Sequence, residues 1–373
     1  MFFYFVFFNL LSLAKGVGLD SSDPVFIFTT LFAFVFLFIH ILYSRYTFKQ
    51  LTIIVLLISI CCIITLKCGK TTVLMSAIAI LFAKDINFDK LLRSVFSIRL
   101  ITFFIVILLS MIGVLSNGNA FRISENGEII KRYSLGFVHP NITYLNFFIL
   151  VALYLYLKYE NLTIKNYIFI FISAVALFKI TDSRTGFITV ILSIFISILF
   201  KNKNIFKNRL FRKVIMNVPL ICGIISVMIS FNYTKNNKLF YIINKILTGR
   251  LELGKRFFDI YGINLFGQNV VEGSNLNGSY LRIDSGYISL IVVYGLVIFL
   301  IYLILQTKLL KMYVKNDRVK EIMLIIVFSV YGLTEVYVYN VFINISLLFL
   351  SDLLYKNSIN NKKCEVYKKW IRK

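Results

Sequence analysis

The sequence predicts an all-α, polytopic membrane protein with about 12 transmembrane helices and one large extracytoplasmic loop. Three observations carry that expectation. The chain is 59% hydrophobic over 373 residues with a mean hydropathy of +0.82, outside the range of soluble globular domains. Its apolar residues fall into runs of spanning length, with the charges gathered in short hinges between them. The longest stretch without such a run is 232–284, which becomes the large loop. Only three prolines and no Pro/Ser-rich linker are present, so residues 1–373 read as a single integral membrane domain.

A hydrocarbon core about 30 Å thick asks for roughly 20 apolar residues per helix. On that ruler the spans follow in order. Residues 1–14 lack a basic start and a small-residue cleavage site, and read as an uncleaved helix rather than a signal peptide. The run 25–43 is a full span, whereas 51–66 and 71–83 are short and separated only by residues 67–70, the pattern of a tight hairpin. Runs at 100–115, 142–157, 167–178, 187–200 and 214–231 precede the large loop, and 285–305, 322–333 and 338–354 follow it. An even number of spans puts both termini on one side.

The hinges at 44–50, 84–99, 158–165, 201–213 and 308–321, with the tail 356–373, hold most of the Lys and Arg. By the positive-inside rule both termini are cytoplasmic and the large loop lies outside. The basic tail reads as an anchor beside anionic lipid. A balance of 41 Lys+Arg against 17 Asp+Glu, net +24, would suggest nucleic acid in a soluble chain; dispersed over membrane hinges it points to lipid instead, and no nucleic-acid partner is expected.

Basic residues on the outer side include six arginines for which orientation gives no reason, Arg122, Arg132, Arg184, Arg250, Arg256 and Arg282. A guanidinium offers a planar fork that matches phosphate oxygens and stays charged near a membrane. Any one of these is explained as a solvated loop charge, but as a set they point to anion binding. The segment KITDSRTG, 179–186, interrupts two apolar runs, where charge is costly and tends to be functional. His139, followed by Pro140 and Asn141 at a helix start, reads as a binding or base residue ahead of the alternative, a capping role. His40, in an apolar run, reads as packing. CysGlyLysThr at 68–71 lacks the first glycine of a P-loop, since position 64 is Ile64. The five cysteines show neither metal-ligand spacing nor a disulfide framework, so neither metal nor cofactor is expected.

Five short motifs stand in order along the chain: R-x-S-L-G-F-x-H-P-N from Arg132 to Asn141, S-R-T-G from Ser183, G-R-L from Gly249, L-F-G from Leu265, and D-S-G-Y-x-x-L-x-x-x-Y-G from Asp284 to Gly295. Glu335 follows in a late apolar region. Together they resemble the Wzy-type O-antigen and capsular polysaccharide polymerases, relatives of the O-antigen ligases. The resemblance implies a metal-independent membrane glycosyltransferase of the bacterial cytoplasmic membrane. It would polymerise undecaprenyl-pyrophosphate-linked oligosaccharides at the outer face, alongside a chain-length regulator and a flippase. It also implies that Arg132, Arg184, Arg250, Arg256 and Arg282, with Asn141 and Tyr287, bind pyrophosphate or glycan. Departure of a pyrophosphate needs mainly cationic stabilisation, and the acceptor hydroxyl needs a base, for which Asp284, His139 and Glu335 are the candidates. A ligase that moves finished glycan is the nearest alternative. A lipid-linked oligosaccharide flippase or transporter is the alternative from another class, although no internal repeat of the kind transporters carry is evident.

Overall fold

A computed structural model describes residues 1–19, 23–115, 118–123, 129–247, 249–274 and 280–355; the basic tail 356–373 lies outside the described residues. Helices form where the apolar runs lie. The chain opens with α1 (Phe2–Gly16), α2 (Pro24–Tyr43), α3 (Phe48–Cys68), α4 (Thr72–Leu81) and α5 (Phe88–Met111). An antiparallel hairpin of β1 (Asn119–Ile123) and β2 (Ile129–Tyr133) precedes α6 (Pro140–Leu157), α7 (Ile164–Thr181) and α8 (Arg184–Lys201). Next come α9 (Arg209–Met216), α10 (Val218–Phe231), α11 (Lys238–Ile246) and α12 (Arg250–Tyr261). A two-residue ladder of β3 (Gly273–Ser274) and β4 (Tyr280–Leu281) leads to α13 (Gly286–Val292), α14 (Leu296–Lys315) and α15 (Val319–Tyr331). Two 3₁₀ segments, Val336–Tyr339 and Ile345–Leu350, complete the described chain.

Among the described residues, α2, α3, α5, α6, α7, α8 and α14 are the seven helices long and apolar enough to cross a membrane. The pair α9 and α10, bent by 60° at its junction, brings the number to as many as eight. Phe2–Gly16, Thr72–Leu81 and Ile345–Tyr355 are apolar but shorter.

No linker composition marks a boundary, yet packing divides the chain into two compact units. The first joins residues 1–43 to 86–205, and the second joins 44–85 to the residues from 206 onward. In the first unit α6 is the hub, packed on α5, α7 and α8 and buried around most of its circumference. A helix that is apolar on every side has this fate. Pro140 at its first turn costs no hydrogen bond, and His139 caps it: Nδ1 accepts from the Asn141 N–H at 3.1 Å. Below this, buried Arg99 of α5 donates to Ser12 Oγ at 2.9 Å and to Asn146 Oδ1 at 3.1 Å.

In the second unit the expected hairpin at 67–70 is present: Gly69, at φ +69°, ends α3 and returns the chain into α4. Here α10 packs against α12, α13, α14 and α15 over a core that includes the wholly buried Phe257, Tyr287, Leu290 and Ile322. Beyond 214–231, which crosses the bent junction of α9 and α10, two runs expected as single helices are not. The first, 285–305, breaks between α13 and α14, where Gly295 stands at φ +92° and the backbone of residues 264–268 fills the gap. There the N–H groups of Leu296 and Val297 donate to the carbonyls of Asn264 and Leu265 at 2.9 and 3.1 Å, and that of Gln268 to Val293 at 3.0 Å. A Cβ on Gly267 would stand 2.5 Å from the Val293 oxygen, and one on Gly295 would strike the Gly267 nitrogen. Both positions therefore need glycine.

The second, 338–354, becomes 3₁₀ turns followed by a short helix. Asn340 Oδ1 accepts from the Phe342 N–H at 3.1 Å and Asn344 Nδ2 donates to the Val338 carbonyl at 2.6 Å. Local side-chain bonds of this kind compete with the helical ladder.

Candidate functional site

One charged cluster of the second unit centres on Arg250, and another joins Arg318 to Glu321 and Asp352. Gly249, at φ +85°, turns the chain so that Arg250 is the first residue of α12. Gly254 then lets that helix approach α10 and α13 closely, since a Cβ there would meet Ile288 at 2.6 Å and Ser230 Oγ at 2.9 Å. Across from Arg250 stand two acids from different elements. Glu335 Oε1 lies 3.2 Å from one terminal guanidinium nitrogen, and Asp284 Oδ2 lies 3.7 Å from Nε.

The motif D-S-G-Y supplies the contacts that hold those acids. Ser285 shares a 2.8 Å hydrogen bond with Ser226 of α10, and the Gly286 N–H donates to the Gly332 carbonyl at 3.0 Å. A Cβ on Gly286 would lie 2.5 Å from Val338 and 2.8 Å from the Glu335 carbonyl, so glycine is what admits the Glu335 segment. Tyr287, expected to touch substrate, is instead wholly buried, and its hydroxyl donates to the Ser329 carbonyl at 3.0 Å. It braces the segment from behind.

Burial pushes the carboxyls of Asp284 and Glu335 above their ordinary range, while the positive charges of Arg250 and Arg282 pull them back. Two acids that share one guanidinium titrate as a pair, and the more open of the two is Asp284, 29% exposed against 15% for Glu335. An arginine flanked in this way can meet a phosphate oxygen while an adjacent carboxylate takes a proton. Elsewhere in this unit, Tyr339 shares a 3.0 Å hydrogen bond with Ser289 and lines an apolar cavity of about 400 Å³ together with Leu57, Cys61, Leu290, Tyr302 and Leu347.

The first unit holds a further cluster, in which arginines outnumber acids. Asp182 ends α7 in the left-handed conformation, φ +43°, and its carboxylate lies 3.3 Å from Arg122 and 3.9 Å from Arg184. Arg132, on β2, donates to the Thr181 carbonyl at 2.9 Å and to Asn141 Oδ1 at 2.7 Å. The β-hairpin thus brings Arg122 and Arg132 over the α7–α8 turn, uniting two motifs separated by about fifty residues.

The expected site residues therefore sort by unit. Arg132, Arg184, Asn141 and His139 belong to the first, and Arg250, Arg282, Asp284 and Glu335 to the second. His139 uses Nδ1 as a helix cap. Arg256 follows Arg250 by six residues, two-thirds of a turn round α12, and pairs with Glu252 at 2.8 Å. Reasoning from sequence missed Asp182, although it stood inside the quoted segment KITDSRTG. It also missed Asn244, whose side chain caps α12 from outside that helix and left no local signal.

Comparison of the chain with protein-family models, with curated proteins and with solved structures finds no match.

Proposed function

We propose that the protein polymerises undecaprenyl-pyrophosphate-linked oligosaccharide repeat units at the outer face of the bacterial cytoplasmic membrane. The observation that carries this reading is Arg250 held between Asp284 and Glu335. In the reaction the acceptor sugar hydroxyl attacks the anomeric carbon of the growing glycan, the bond from that carbon to the pyrophosphate oxygen breaks, and the hydroxyl proton passes to a carboxylate. Asp284, the more open acid, is the base; Glu335 holds Arg250; and Arg250 meets the departing pyrophosphate. The apolar cavity beside Tyr339 suits the isoprenoid part of such a substrate. About twelve spans follow when the bent pair α9–α10 and the shorter helices α1, α4, α15 and Ile345–Tyr355 cross as well.

A deletion strain tests the reading. Single lipid-linked repeats exposed outside are the expected result; repeats trapped in the cytoplasm would mark a flippase, and long unattached polymer a ligase. Topology is checked separately: a reporter after Asn236 reads as outside, and reporters after Asn204 and Asn316 read as cytoplasmic.

A further inference from the structure

Helix α11 turns an apolar face away from the protein. Leu239, Tyr241 and Ile242 are 70, 56 and 46% exposed, with exposed Lys238 and Lys245 beside them. The opposite face is tied down. Phe240 packs on Tyr233 with ring centres 6.4 Å apart, and Asn244 is 8% exposed. Tyr233 is itself buried directly after α10, and the turn that follows closes with the Asn237 N–H on the Thr234 carbonyl at 3.2 Å. Because α10 is part of a bent pair long and apolar enough to cross a membrane, α11 is kept beside the end of a candidate span. A short helix that turns Leu239, Tyr241 and Ile242 outward together with Lys238 and Lys245, whose ammonium groups can reach headgroup phosphates from apolar stems, has the character of one that lies in the lipid interface.

Its inner face reaches the site. The residue that precedes Arg250 is Gly249, which has no side chain to cap α12, so the first backbone donors of that helix need a partner from elsewhere. Asn244 is that partner. Its Oδ1 accepts from the N–H groups of Leu251 at 3.0 Å and Glu252 at 3.2 Å, while its Nδ2 donates to the Tyr233 hydroxyl at 3.1 Å. The Gly249 N–H donates to the Asn244 carbonyl at 2.8 Å. A single side chain on α11 thus fixes the end of α12 that bears Arg250.

We propose that α11 seats on the headgroup region of the outer leaflet and that Asn244 carries this seating to Arg250, as a positioning residue of the transfer site. The role at the transfer site rests on the function proposed above; the seating and the coupling do not. Both are tested on the full chain. Its one tryptophan is Trp370, so protein carrying Leu239→Trp with Trp370→Phe holds a single reporter in α11. In vesicles of phosphatidylethanolamine and phosphatidylglycerol, lipid spin-labelled near the headgroup quenches that reporter about twofold or more, and aqueous iodide does not. Quenching by iodide overturns the seating. Protection from both quenchers overturns it too, because another protein surface then covers α11.

The coupling is read without any glycan. In protein carrying Arg250→Cys, the reaction of residue 250 with an impermeant maleimide, followed by peptide mass, speeds up when Asn244→Ala or Leu239→Glu is added, and Asn244→Asp, which keeps the acceptor, restores the slow rate. Unchanged rates in both variants overturn the coupling. With Arg250 intact, Asn244→Ala lowers kcat for transfer about fivefold, the size of a lost cap, and Asn244→Asp recovers it. If the rates shift while wild-type protein forms no polymer, the polymerase reading fails and the coupling stands.

Discussion

The two charged clusters use the same kinds of side chain in different proportions. In the first unit three arginines, Arg122, Arg132 and Arg184, surround one carboxylate, Asp182; in the second, Arg250 and Arg282 act on two, Asp284 and Glu335. An excess of guanidinium suits holding an anion, because a charge remains after the internal pair is made. Two buried carboxylates side by side suit taking a proton, because the acids repel one another and burial disfavours their charge. The proposed reaction makes both demands, a cationic hold on pyrophosphate and a base for the acceptor, and the second cluster holds groups for each.

The sharpest break of this contrast is Asp284→Asn. If the second cluster supplies the base, polymer falls by about 10²–10⁴-fold at normal membrane levels, the usual range for a lost general base. Full-length polymer from that variant would move the role to Glu335 or His139. Next in size are Arg184→Lys and Arg250→Lys, which keep the charge and remove the fork. Loss of one charge-assisted contact costs about 1.5–3 kcal/mol, roughly one to two orders of magnitude in rate. A loss in either variant shows that the fork of that arginine is used in the reaction, whereas wild-type polymer from Arg184→Lys makes Arg184 an ordinary loop charge.

A smaller effect, on stability, comes from Gly286→Ala. The added methyl meets Val338 and the Glu335 carbonyl and costs about 1–3 kcal/mol by overpacking, measured as a lower melting temperature of the purified protein. An unchanged melting temperature would mean that the Glu335 segment is not held against α13. The smallest concerns pH. The base must be ionised to act, and burial raises both acids, so the acid limb of kcat/KM lies at higher pH than an ordinary carboxyl would give. Arg282 lowers both groups, so Arg282→Gln moves that limb further up. For stability the sign is the reverse: these raised carboxyls disfavour the fold above their folded pKa, and the penalty fades as pH falls through it. A limb that stays in place in Arg282→Gln would detach Arg282 from the pair.

Much of the helical framework was legible because apolar runs of spanning length have few other fates, and α2, α3, α5, α6, α7, α8 and α14 each contain or overlap one. The hairpin at Gly69 was legible for the same reason, being the only polar interval between two such runs. What stayed hidden depended on partners far off in sequence. Gly295 inside an apolar run resembles an ordinary helix glycine until the backbone of residues 264–268 is seen to enter the break. Asn340 and Asn344 turn a run that reads as helix into 3₁₀ segments through bonds that periodicity does not register. Within the site, the arginines stood out by their chemistry and Glu335 by its isolation, but their assignment to separate units, and the burial of Tyr287, follow from packing alone.

The insertion of Gly267 beside Gly295 alters the mechanics of everything between α10 and α13. A chain of this length, tethered only at its ends, would transmit any tug on Arg250 along its contour to Asp284. Pinned at residues 264–268, it becomes a linkage with a fixed pivot and two arms, one bearing Arg250 and the other ending at Asp284. Dividing a loop in this way changes its closure entropy little, about 0.6 kcal/mol for each doubling of length. Its effect is on correlation: movement beyond the pin is not passed along the chain to α12, so Arg250 keeps the place that Asn244 and Glu335 give it.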